Sequence, residues 1–300
     1  MSLFSLLDQA ATRFPDRGAV FRGTEQVSTW AELRARALGL AGAIRASRGP
    51  GTRVAVATEN CPEIVELMFG IWAAECVFVP LNYKLHPREM ADILTDSGAD
   101  LVFASEKIGA ALEPVTDLPR TVIGSDSYAA LLDSAPWPPA DIDPAALAWL
   151  FYTSGTTGRS KGAMLSHRNL MAMTVSHLAD FDDPDADCSL VHGAPMSHGS
   201  GMYVMPYVLR GARQVIPASG AFDPGEFLDL CGHHPGTAAF LAPTPPRMRL
   251  VSSGPNASIW HTREPDGTRW TRATAADGRP LPTQGLHPMI IDCHGHVSPP

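Results

Sequence analysis

No run of apolar residues in this sequence approaches the ~18 that a membrane-spanning helix needs. The opening residues, MSLFSLLDQAATRF, bring acidic and polar groups too early for a secretory leader, so a cytoplasmic protein is expected. Cysteine is sparse: Cys61, Cys76, Cys188, Cys231 and Cys293 stand at intervals that suit neither a disulfide framework nor a metal site. Free thiols in a reducing compartment are the expectation. Positive charge is in deficit, with a net charge of -8. That argues against an extended nucleic-acid-binding surface and makes any polyanion site a local one. Lysine is scarcest of all, with three residues, Lys84, Lys107 and Lys161, and none after position 161. What the chain does have is apolar material: 45% of 300 residues are hydrophobic, enough for one large domain or two modest ones.

Apolar residues fall at helical spacing from Leu3 to Arg13, and Pro15 stops them. AVFRGTEQVSTW reads as two short strands about a turn from Gly23 to Glu25. Thr29 is placed to cap a helix from Trp30 to Arg48, which Gly49, Pro50 and Gly51 end. Strand and helix then alternate through VAVAT, PEIVELMFGIWAAE, CVFVPLN, HPREMADILTDSG and DLVFAS. Such near-continuous apolar strands belong to a parallel sheet covered by helices on both faces, an α/β fold. Met68, Phe69 and Trp72 read as core residues. SAPWPPADIDP reads as a surface connection.

A short apolar strand, Leu147 to Tyr152, then gives way to TSGTTGRSKG. Gly155 and Gly158 let the backbone turn its N–H groups inward, and Thr153, Ser154, Thr156 and Thr157 add hydroxyls. Lys161 supplies a cation that can follow phosphate charge, and Ser166 is an N-cap for HRNLMAMTVSHLAD. The spacing is neither that of a Walker loop nor that of a dinucleotide fingerprint. As a bare pattern the loop fits a surface connection as readily as a phosphate cradle. Further on, PMSHGSG sets His198 on a glycine-flanked turn before an apolar helix, a place for a helix cap or for a side chain facing a cleft. His167, His177, His192, His233 and His234 show no ligand spacing and read as surface or capping residues.

The string TSGTTGRSKG resembles the signature loop of the adenylate-forming (AMP-binding) superfamily: acyl-CoA synthetases, peptide-synthetase adenylation domains and luciferases. The resemblance implies that Thr153, Ser154, Gly155, Thr156, Thr157, Gly158 and Lys161 hold the β- and γ-phosphates of ATP while a carboxylate attacks the α-phosphate. Arg159 and Ser160 occupy variable places and receive no role. It extends to Asn60, Pro62 and Glu63, to Val79 through Asn82, and to Pro195, His198 and Gly201, which match a Pro-x-x-His-x-x-Gly segment of acyl-CoA synthetases. His198 would border the acyl pocket near the reacting carboxylate. Adenylation domains for α-amino acids usually place Asp there to grip the ammonium, so His198 points to a fatty or aromatic carboxylic acid. Mg²⁺ bridging the phosphates and coenzyme A as acceptor are implied as well.

Periodicity ends near residue 245. The division expected is a partial AMP-binding domain over 1–245 and a non-homologous, disordered and irregular tail over 246–300. No Tyr-Gly-x-Thr-Glu segment occurs and no lysine follows Lys161. The resemblance therefore covers an N-terminal portion and implies little ligation by this polypeptide alone. The alternative is a non-catalytic remnant or nucleotide-binding module. A sheet cut short would leave an apolar edge uncovered and lower solubility. The last twelve residues, MIIDCHGHVSPP, resemble the start of amidohydrolase-type enzymes, with His294 and His296 at i and i+2; a chance pair fits equally well. The join reads as a disrupted gene running into its neighbour. No metal ligands are assigned.

Overall fold

Residues 2–153 and 160–241 are described by the computed structural model, together with the backbone of residues 248–254, 257–263, 270–272 and 290–291. Helix α1 (Phe4–Arg13) buries Phe4, Leu6, Leu7, Ala10 and Ala11 along one face. Strands β1 (Gly18–Arg22) and β2 (Glu25–Thr29) form an antiparallel hairpin whose turn needs Gly23 at φ +60°. Thr29 and Glu32 make a reciprocal capping box at the start of α2 (Trp30–Arg45). This helix stops three residues before the expected Arg48, because Ser47 and Arg48 both donate to the Ile44 carbonyl and tighten the last turn.

The alternation continues through β3 (Arg53–Ala57), α3 (Glu63–Ala73), β4 (Val77–Leu81), α4 (Pro87–Ser97), β5 (Leu101–Ala104), α5 (Glu106–Leu112), β6 (Arg120–Val122) and α6 (Asp126–Leu132). It resumes after residue 146 with β7 (Leu147–Thr153), β8 (Lys161–Ser166), α7 (His167–Asp180), β9 (Ser189–Val191), α8 (Gly199–Met202), α9 (Val204–Arg210), β10 (Arg213–Ile216), α10 (Pro224–His233) and β11 (Thr237–Phe240). Later backbone forms β12 (Met248–Gly254), β13 (Ala257–Arg263), β14 (Trp270–Arg272) and β15 (Ile290–Ile291).

Two six-stranded sheets result, ordered β15-β11-β9-β10-β1-β2 and β6-β5-β3-β4-β7-β8, each parallel except for the antiparallel strand at one edge. The architecture is the expected parallel-rich α/β. Strands β12, β13 and β14 form a separate antiparallel sheet, so part of the stretch expected to be irregular is strand. Its runs MRLVSSG and ASIWHTR carry β-branched and aromatic residues around a Gly-Pro-Asn turn signal.

Between the two large sheets lies a helical layer. Ala19, Val20 and Ile216 of the first sheet and Val54, Val56, Phe78, Phe103 and Trp149 of the second share one core with residues of α1, α2, α3 and α9. The outer face of the second sheet is covered by Ile93 and Leu94 of α4 and Ile108 and Leu112 of α5. The outer face of the first is covered by Phe227, Leu228 and Leu230 of α10. Consecutive residues of β4 therefore serve two cores, Phe78 inward and Val77 and Val79 outward, which is why that strand is apolar throughout. Inside the helical layer Glu66 of α3 accepts from Arg36 Nε at 2.5 Å and Nη2 at 2.9 Å, and from the Tyr128 hydroxyl. Burial raises the Glu66 carboxyl above its ordinary range, against the pull of Arg36.

Candidate active site

Strands β3, β9 and β10 release their chains at one end of the two sheets, the end where open parallel sheets place their ligands. The loop after β3 carries Asn60, the loop after β9 carries residues 192–198, and the loop after β10 carries Gly220. The Asn60 side chain reaches across to the neighbouring sheet's loop. Its Nδ2 donates to the carbonyls of His192 at 3.0 Å and Ala194 at 2.9 Å, and its Oδ1 accepts from the Met196 N–H at 2.8 Å.

His198 follows on a tight turn: its N–H donates to the Pro195 carbonyl at 3.1 Å, and its carbonyl accepts from Gly201 at 3.0 Å. It stands immediately before α8, yet its side chain makes no capping bond to that helix. The imidazole lies beside the Ser197 hydroxyl, Nδ1 to Oγ 3.2 Å, and against the Phe151 ring at 5.4 Å between centroids. It is half-buried, and that burial holds its pKa below the ordinary 6.5. The group is a neutral imidazole near pH 7, able to donate one hydrogen bond and accept another.

Below the turn lies a buried polar chain. His192 is fully buried, with Nδ1 2.8 Å from the Ser200 hydroxyl and Nε2 3.1 Å from Gln214 Oε1. Gln214 donates its amide N–H to the Ala212 carbonyl, so its oxygen faces His192, and Nε2 is the protonated nitrogen. Gly199 and Gly201 close the turn. A Cβ on Gly199 would strike the Phe240 ring, and one on Gly201 would overlap the Met196 carbonyl and sit 3.2 Å from the Trp149 ring.

The loop expected to hold phosphate joins β7 to β8. Thr153 is the last residue of β7 rather than the first of the loop, and it pairs in register with Lys161, the first residue of β8. Strand β8 went unread in the sequence because KGAMLS has no alternation; pairing with β7 makes it a strand. Trp149 and Phe151 pack in the core between the sheets and Leu150 and Tyr152 in the outer one. Thr153 thus shares the face on which Phe151 meets His198. Both Thr153 and Lys161 are exposed. Ser154, Gly155, Thr156, Thr157 and Gly158 lie outside the described residues, as do His294 and His296.

Four histidines read as surface or capping residues are buried: His167, His177, His192 and His234, while His233 is exposed. Tertiary packing closes over them, and burial lowers the pKa of each, His167 and His192 to about 4. Among the described residues no group of three or more His, Cys, Asp or Glu could hold a metal. Those residues thus build no all-protein cage for magnesium, an ion usually held by one or two carboxylates together with substrate phosphates and water. Among the described residues, too, no helix is long and apolar enough to cross a membrane.

A half-buried imidazole on a turn held by buried hydrogen bonds, on the same face of β7 as Thr153, which pairs with Lys161, lies at the end where open α/β sheets bind small molecules. This chain belongs to the AMP-binding enzyme family, whose model matches residues 7–295. It is 35% identical over 219 residues to a feruloyl-CoA synthase of Amycolatopsis sp, a match covering 72% of this chain and 44% of that protein. The fatty acid–[acyl-carrier-protein] ligase ScoC of Streptomyces coeruleorubidus is 29% identical, with 88% and 51% covered. The chain therefore spans about half the length of these curated relatives. The N-terminal domain of FACL13 from Mycobacterium tuberculosis, solved with an inhibitor bound, superposes with a TM-score of 0.71 at 26% identity, covering 81% of this chain and 63% of that one.

Proposed function

We propose that this chain supplies the acid-binding turn and the triphosphate hairpin of an acyl-CoA synthetase acting on an aromatic carboxylic acid, with a fatty acid as the second choice. The observation that carries it is His198, a neutral donor on a fixed turn, placed on the same side of β7 as Thr153 and the Lys161 hairpin. A neutral imidazole suits a carboxylate that must stay nucleophilic, since a full positive charge would hold it back. Phe151 lies against the imidazole, and Phe240, with Tyr203 stacked on it at 5.2 Å, lies beside the adjoining Gly199. The feruloyl-CoA synthase relative supports the aromatic choice.

In the reaction so assigned, a carboxylate oxygen forms a bond to the α-phosphorus of ATP as the bond to the pyrophosphate oxygen breaks. The thiol of coenzyme A then attacks the acyl carbonyl, and AMP leaves. Magnesium, when bound, neutralises charge on the phosphates. Lys161 follows the departing pyrophosphate, and the loop hydroxyls and N–H groups orient it. Lacking any lysine after 161, the 300-residue polypeptide is assigned binding without complete ligation. The division at residue 245 belongs to the same proposal; limited proteolysis yielding a resistant product ending near there supports it, and resistance of the whole chain removes it.

Calorimetric titration with ATP and with ferulate, alongside ATP–pyrophosphate exchange over fatty and aromatic acids, tests the reading. Saturable binding of both with exchange at background is expected. Exchange above background overturns the claim of binding without ligation, and failure to bind either ligand leaves the non-catalytic remnant.

A further inference from the structure

The loop bearing His198 hangs between two sheets, and the two sides hold it differently. On its own sheet the hold is the side-chain run from Gln214 through His192 to Ser200. From the opposite sheet the grip is Asn60. Both N–H donors of its amide are spent on the His192 and Ala194 carbonyls, and its oxygen takes the Met196 N–H. Asn60 is 7% exposed, so each lost bond would leave a buried backbone group without a partner. The backbone beside it is equally close: a Cβ on Gly220 would lie 3.2 Å from the Asn60 carbonyl. The chemistry admits few replacements. Aspartate keeps the acceptor and loses both donors, glutamine is a methylene too long, and serine is too short to reach three backbone groups.

We propose that Asn60 is a positioning residue for His198: by clamping residues 192–196 across the seam between the sheets, it sets where the imidazole stands relative to Phe151 and the β7–β8 hairpin. It touches none of the reacting atoms. The proposal rests on the acid-site reading only for what His198 does once placed.

The test is the NMR titration of the His198 ring in the full 300-residue chain, compared among wild type, Asn60→Ala, Asn60→Asp and a control, Trp72→Phe. Trp72 Nε1 donates to the buried Ala148 carbonyl at 2.8 Å, so its loss lowers stability without touching the turn. Asn60→Ala should free the turn to water and raise the His198 midpoint toward 6.5. Asn60→Asp, which preserves size, should raise it too and carries the test if the alanine variant fails to fold. Trp72→Phe should lower the thermal midpoint with the His198 titration unmoved. The proposal is overturned if His198 titrates as in wild type in the Asn60 variants, or if Trp72→Phe moves it equally. Ferulate added to wild type probes the acid site separately: an unperturbed His198 resonance removes that reading and leaves the Asn60 result standing.

Discussion

The turn that carries His198 and the hairpin that carries Lys161 meet through Phe151, yet they are built in opposite ways. The turn is gripped from both sheets, its side-chain bonds buried and its glycines in contact with a backbone carbonyl and two aromatic rings. The hairpin gives up its packing as it leaves the sheet: β7 is mostly buried, while β8 exposes Lys161, Ala163 and Met164. A neutral donor directs a ligand only if it is already aimed, because its interaction is short-ranged and small per bond. A cation acts over a longer distance and can follow phosphate as it moves. Under the proposed function, the rigid half suits selection of the acid and the exposed half suits the charge that leaves.

The hardest blow to this contrast is Gly201→Ala. Because a Cβ there would overlap the Met196 carbonyl, the backbone must shift, and we expect about 3 kcal/mol of lost stability in urea unfolding. A cost below about 0.5 kcal/mol would mean that the turn has the slack of an ordinary surface loop.

Acid should come next. His192 and His167 are buried and neutral, with pKa lowered to about 4 from 6.5. Stability that depends on their neutral forms is complete above pH 6.5 and is lost as pH falls toward 4. Each should withdraw about 2 kcal/mol by pH 5. Thermal midpoints measured from pH 7.5 to 4.5 should show this slope, and His192→Gln should flatten part of it. An unchanged slope in that variant would separate the buried chain from the turn's rigidity.

The gentlest change to the fold sharpens the other half. Lys161→Ala should leave unfolding within about 0.5 kcal/mol of wild type, as befits an exposed side chain. ATP binding should nonetheless weaken about tenfold or more. Equal binding by the variant would shift the phosphate contact entirely to the loop backbone and hydroxyls.

What was legible beforehand was local. Thr29 and Ser166 cap the helices they precede, and the apolar runs of β3, β4 and β5 are parallel strands, because these signals lie within a few residues of one another. What was missed depends on distant partners. Asn60 meets residues 132 to 136 positions away, so nothing beside it in the sequence announces a clamp. His192 looks like any loop histidine until Gln214 and Ser200 close on it. Strand β8 exists by pairing, with no pattern of its own. The division of the strands into two sheets was equally hidden, since β1 and β10 share a ladder although nearly two hundred residues part them.

Trp149 stands where these halves cross. Its indole is fully buried, edge-on to Phe78 at 4.9 Å, near Phe151 at 6.3 Å and against the tight approach at Gly201. That makes it an optical reporter already wired into the protein. Light absorbed there is emitted from a dry, aromatic setting whose one wall is the His198 turn and whose other is the strand leading to Lys161. The difference spectrum between the native chain and Trp149→Phe therefore registers, without any attached dye, whether occupancy at one end of the cleft is felt at the other.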